Sequence, residues 1–196
     1  MAEIDNSKKI YVDVNPGWLT NSVKHKNENY FKILDFYVVN AICGELSCKG
    51  KTASELGWGK QVWKKGILKN LIFETICSKE HFSDCIFIAK TNSDIRNGIN
   101  NFSMDKHFHN LREEKIVVHK KYNLNQIESI FYHIRNSFAH GRFQIYSYKD
   151  ELYYVFESGI IKKSIDKIEL KARMVIKEKT LLKWIEILNN PIDDNK

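Results

Sequence analysis

Ile134-Arg135-Asn136-Ser137-Phe138-Ala139-His140-Gly141-Arg142-Phe143 is the stretch from which the rest of the chain is best read. Leu124, Ile127, Phe131, Ile134 and Phe138 step by three and four through it, the apolar stripe of a helix facing a core. Asn125, with Glu128 three residues on, has the form of a capping box, and Gly141 suits the left-handed position that ends a helix. At about 100° per residue, Arg135 and His140 point about 140° apart on such a helix. Tyr132, Asn136 and His140, by contrast, share one side at i, i+4 and i+8. A site using both Arg135 and His140 therefore needs a loosened last turn or a second chain.

The residue types point to phosphate chemistry. A guanidinium offers a planar fork of donors to a phosphate, and an imidazole exchanges protons near neutral pH. The pattern alone is weak, because with five arginines and seven histidines a bare Arg-x(4 to 6)-His spacing arises by chance about 0.5 times. It occurs twice. The second occurrence, Arg112 to His119, lies in a β-branched run without helical period and is set aside as a decoy.

The segment resembles the signature of the HEPN superfamily, helical domains whose motif is Arg, a polar residue, a short gap and then His. Arg135, Asn136 and His140 match it residue by residue, and residues 124–188 are similar to a bacterial branch with a β-hairpin after the motif helix. The resemblance implies a metal-independent endoribonuclease without cofactor, acting as a toxin or anti-phage effector. His140 would exchange protons with the ribose 2′-hydroxyl or the leaving 5′-oxygen, Arg135 would stabilise charge on the phosphate, and Asn136 would orient the imidazole. It also implies a homodimer with a composite cleft and an antitoxin or regulatory protein as a further partner. HEPN toxins paired with a nucleotidyltransferase antitoxin carry a tyrosine two residues past the histidine; Arg142 stands there, which argues against control by that route. A non-catalytic HEPN module that binds RNA or nucleotide, or serves dimerisation, is the alternative.

Each residue also has a plainer reading. His140 is a cation suited to a helix C-terminus, Arg135 is spaced to meet Glu128 on the helix surface, and Tyr132 serves as packing or as a substrate contact. His133 lies beside the stripe and is expected at the surface. Arg142 and Arg173 are candidate phosphate contacts or ordinary surface charge.

Composition agrees with an RNA-acting protein. At 196 residues and 43% hydrophobic, the chain can fill one core, and a net charge of +7 favours a polyanionic partner. The first residues lack the apolar core of a signal peptide and no apolar run reaches a membrane span, so a cytoplasmic protein with no membrane partner is expected. Cys43, Cys48, Cys77 and Cys85 lack the spacing of a zinc site and read as reduced, mostly buried thiols; no metal is expected. Lys49-Gly50-Lys51-Thr52 lacks the upstream glycine of a phosphate-binding loop.

Periodicity predicts helices over residues 30–43, 61–77 and 84–97, a loop or short helical connection over 44–59 and a polar link over 100–110. After the motif the period falls to two. Phe143–Tyr148 and Leu152–Phe156 flank a turn at 149–151, Ile168–Ile176 alternates, and Leu181, Trp184, Ile185 and Leu188 mark a last helix before Pro191. The expected architecture is one α+β, mostly α domain over residues 1–196. It comprises a HEPN-like helical bundle at about 28–141, an antiparallel β-meander at about 142–176 and a C-terminal helix at about 177–190.

Overall fold

The computed structural model describes residues 9–19, 27–40, 55–58 and 66–192. Strand β1 (Tyr11–Asp13) precedes helix α1 (Glu28–Leu34), whose first turn is capped where the Tyr30 N–H donates to the Asn27 side chain at 2.8 Å. The helix then widens into a π-helical segment, Asp35–Asn40. Helix α2 (Ile67–Glu74) and the one-turn helix α3 (Phe82–Cys85) lead into strand β2 (Ile86–Ala89). Helix α4 (Asn92–Asn101), closed by a Thr91/Asp94 capping box, connects β2 to strand β3 (Lys115–His119). The motif helix α5 (Gln126–Ala139) is followed by strands β4 (Phe143–Tyr148), β5 (Glu151–Lys162) and β6 (Lys167–Lys177) and by helix α6 (Glu178–Asn189). Among the described residues no helix is long and apolar enough to cross a membrane.

The strands form one six-stranded mixed sheet in the order β2-β3-β6-β5-β4, with β1 also paired to β6. This overturns the mostly helical HEPN-like bundle with an appended meander. The reason lies in the half of the chain expected to be helical. Ile86-Phe87-Ile88-Ala89 is a short apolar run that periodicity cannot divide between a buried helix and a buried strand, and the helix expected over 84–97 includes it. It is a strand, pairing in parallel with Ile116–His119, and α4 is the crossover that parallel pairing requires. The β-branched run after Arg112 is β3, which pairs antiparallel with β6 and so joins the two halves in one sheet.

The later elements lie close to expectation. Tyr148 and Glu151 close the β4–β5 hairpin across Lys149 and Asp150, both at positive φ (49° and 62°), the backbone of a two-residue turn whose twist matches the strands. The meander is longer than expected, however, because β5 and β6 run on together to Lys162 and Lys167. Of the early helices, the one expected over 61–77 is described only as Ile67–Glu74; Gln61 and Val62, like Cys43, Cys48 and most of the 44–59 loop, lie outside the described residues. Cys77 and Cys85 are unbridged and half-buried.

Alternation along the strands builds two cores. Ile116, Tyr154, Phe156, Met174 and Ile176 face α1, α2, α5 and α6, with Trp184 and Phe131 buried between. Val117, Tyr153, Val155 and Val175 face the other way, against Ile95 and Ile99 of α4, Phe108, and the N-terminal Ile10, Val12 and Trp18. The motif helix thus lies on a sheet packed on both faces.

Candidate functional site

Helix α5 is fixed at both ends by the devices its sequence announced. The Glu128 N–H donates to Asn125 Oδ1 at 3.0 Å and the Asn125 N–H to Glu128 Oε2 at 2.8 Å. At the far end the Arg142 N–H donates to the Ser137 carbonyl at 2.8 Å and the Gly141 N–H to the Phe138 carbonyl at 3.1 Å, with Gly141 at φ 64°. These two bonds are a Schellman motif, which turns the chain from helix into β4 and leaves His140 exposed at the cap.

Two buried polar residues set the helix against the sheet. The Ser137 hydroxyl lies 2.9 Å from the His133 carbonyl and 3.0 Å from the Glu157 carbonyl of β5. His133 was expected at the surface but is 3% exposed. Its Nε2 lies 2.9 Å from the His119 carbonyl and its Nδ1 3.0 Å from Ser158 Oγ. A carbonyl only accepts, so Nε2 carries the proton and Nδ1 accepts from the serine. Burial pushes this imidazole down to about 4, so it stays neutral and structural near pH 7.

The exposed side of α5 opens on a groove of about 1110 Å³. Tyr132, Asn136 and His140, the i, i+4, i+8 stripe, form one wall, and the segment from Val14 to Leu19 forms another. The third side is β5 from Glu157 to Ile161, beyond the end of its pairing with β4. At Ser158/Gly159 the β5–β6 register shifts, and a Cβ on Gly159 would run into Ile168 and the Glu169 carbonyl. Only glycine fits there. Tyr132 is half-buried, with Lys121 Nζ 5.2 Å from its ring centre. Arg135 is half-buried and reaches Asn136 Oδ1 at 3.5 Å, but it does not line the groove.

Both candidate phosphate arginines are buried, and they meet on one carboxylate. Glu157 is fully buried and pairs with Arg142 on one side and Arg173 on the other, the latter at 2.8 and 2.9 Å. Arg142 also donates to the Asp13 carbonyl at 3.1 Å and to that of Val14, while Arg173 donates to the Met104 and Asp105 carbonyls and lies 4.4 Å over the Phe108 ring. Two guanidiniums against one carboxylate leave this cluster with one unit of positive charge behind the groove. Arg142 reaches the groove wall and Arg173 does not. Among the described residues no group of three or more His, Cys, Asp or Glu is placed to hold a metal ion.

No family model, curated protein or solved structure matches the chain. The groove residues that sequence reasoning passed over are the Val14–Leu19 wall, Glu157, and Ser158 to Ile161. Glu157 carried a readable signal, since it shares strand parity with the buried Tyr153 and Val155 and so is a carboxylate on a core face. The N-terminal wall carried none, because only tertiary contact brings it there.

Proposed function

We propose that this groove binds and cleaves RNA in the cytoplasm without a metal, with His140 as the proton-transfer group. The observation that carries the reading is that Tyr132, Asn136 and the exposed His140 line a single groove with the positively charged Arg142 cluster behind it. The 2′-oxygen attacks the adjacent phosphorus as its proton passes to a base; the bond to the 5′-oxygen breaks as that oxygen takes a proton. The products are a 2′,3′-cyclic phosphate and a 5′-hydroxyl. His140 serves one of the two transfers, Asn136 one turn back positions it, and Arg135 stabilises the charge that gathers on the phosphate oxygens. Such an enzyme suits a toxin or anti-phage role under the restraint of a regulatory protein.

That Arg135 lies outside the groove lining favours a composite cleft, in which a homodimer supplies the arginine from another motif helix. The test is cleavage of a defined RNA in the presence of a chelator. His140→Ala should lower the rate by about 100- to 10,000-fold with the fold unchanged, and products should end in cyclic phosphate. Full activity in that variant ends this reading, and strict dependence on added magnesium or manganese replaces it with a hydrolytic one.

A further inference from the structure

Arg112, set aside as part of a decoy, occupies a second place where planar and cationic groups converge. Its side chain is exposed, and its guanidinium carbon lies 4.9 Å from the ring centre of Tyr146 and 4.9 Å from that of Tyr148. Tyr146 in turn stacks on Tyr153 across the β4–β5 pair, centroids 5.2 Å apart and planes 3° from parallel. Lys149 lies 5.4 Å over Tyr148 and Lys177 lies 5.5 Å over Tyr153. Both inner rings are held by their edges, Tyr146 by the Leu111 carbonyl and Tyr153 by the Arg112 carbonyl. Arg112 donates to the carbonyls of Asn110 and Leu111, and no carboxylate among the described residues pairs with it. The result is a rigid aromatic ladder topped by an exposed, uncompensated guanidinium.

The ladder is joined to the groove by the pleat of β4. Residues of equal parity share a face, so Arg142, Gln144, Tyr146 and Tyr148 form one row along the edge strand, continued upstream where the Glu157 N–H donates to the Arg142 carbonyl. That row begins at the groove wall with Arg142 and ends at Tyr148 of the ladder, about 20 Å further along at about 3.4 Å per residue.

We propose that the β4 edge is a track for single-stranded RNA, along which the strand leaving the groove stacks a base on the Arg112–Tyr148 platform. The identity of the polymer rests on the nuclease reading above; the track itself rests on the row and the ladder. Aromatic rings and guanidinium planes accept any base on their faces, and a guanidinium without a carboxylate adds a phosphate contact. A duplex keeps its bases stacked inside and gains nothing from such a platform.

The experiment is calorimetric binding of the full chain to 2′-O-methyl oligouridylates, which lack the attacking hydroxyl and survive, as a dinucleotide and as a dodecanucleotide. Tyr148→Leu and Arg112→Lys should each weaken the dodecanucleotide about tenfold, the scale of one lost stacked base, and leave the dinucleotide within about twofold. Arg112→Gln should also lower the slope of log affinity against log salt by about 0.7, whereas Arg112→Lys should keep it. Both side chains changed are exposed, and an unchanged thermal midpoint verifies the fold. Equal weakening of both oligonucleotides, no weakening of either, or equal affinity for an acidic peptide overturns the track. If the length-dependent loss appears while His140→Ala still cleaves, the track stands and the nuclease reading falls. If His140 proves essential and the length-dependent loss is missing, the track alone falls.

Discussion

Glu157 shows how much can hang on one buried side chain. Its carboxylate sits between Arg142 and Arg173, each of which also grips two backbone carbonyls, so Glu157→Ala would leave two buried guanidiniums facing one another. Removing one partner of such a buried arrangement costs about 3 to 5 kcal/mol, and a fall in the urea midpoint should report it; an unchanged midpoint would show that water reaches the arginines. His133 makes a prediction in pH. Its folded value of about 4 lies below the ordinary 6.5, so the unfolded chain binds the extra proton between them. Stability from this group is complete above pH 6.5 and declines as pH falls towards 4, by about 3 kcal/mol in all at 1.36 kcal/mol per unit. Burial also pushes His109 and His119 down, which adds loss of the same sign. Urea midpoints between pH 7 and 4 should fall less steeply in His133→Phe than in the parent; identical profiles would remove His133 from the account.

Helix α5 and its exit position the chemistry, and the glycine that ends the helix obeys a different constraint from the one in β5 across the groove. Gly141 has φ 64° and open space around it, so Gly141→Ala should cost only the left-handed backbone penalty, about 1 kcal/mol. Gly159→Ala must move Ile168 or the β6 backbone and should destabilise more; thermal denaturation of the pair gives the order, and the reverse order would mean that the bulge yields easily. What could be read from the sequence at this scale divides along the same line. The capping box, the glycine exit, the hairpin turn and the strand Phe143–Tyr148 were legible because each depends on neighbours in the chain. Strand β2 was not, since four apolar residues acquire their strand identity only by pairing with β3 about thirty positions away. The Tyr132–Asn136–His140 stripe was legible from helical geometry, and the wall facing it was not.

For the whole molecule, the placement of Arg135 outside the groove makes assembly testable. In the composite arrangement, inactive Arg135→Ala and inactive His140→Ala chains, mixed and allowed to exchange, should recover cleavage, because a mixed dimer pairs an intact arginine with an intact histidine. Light scattering should show a dimer in the same buffer. No recovery from a mixture shown to have exchanged would place both residues in one chain's site. The net charge of +7 adds a steep fall of RNA affinity with salt, and a flat response would argue against a polyanionic partner altogether. Arg142 grips Asp13 and Val14 by their carbonyl oxygens, which every residue type possesses, so the anchor does not read the side chains it holds. Val14 and Asn15 are therefore free to vary where they line the groove, and laboratory selection for a new RNA preference should accumulate changes there with little loss of stability.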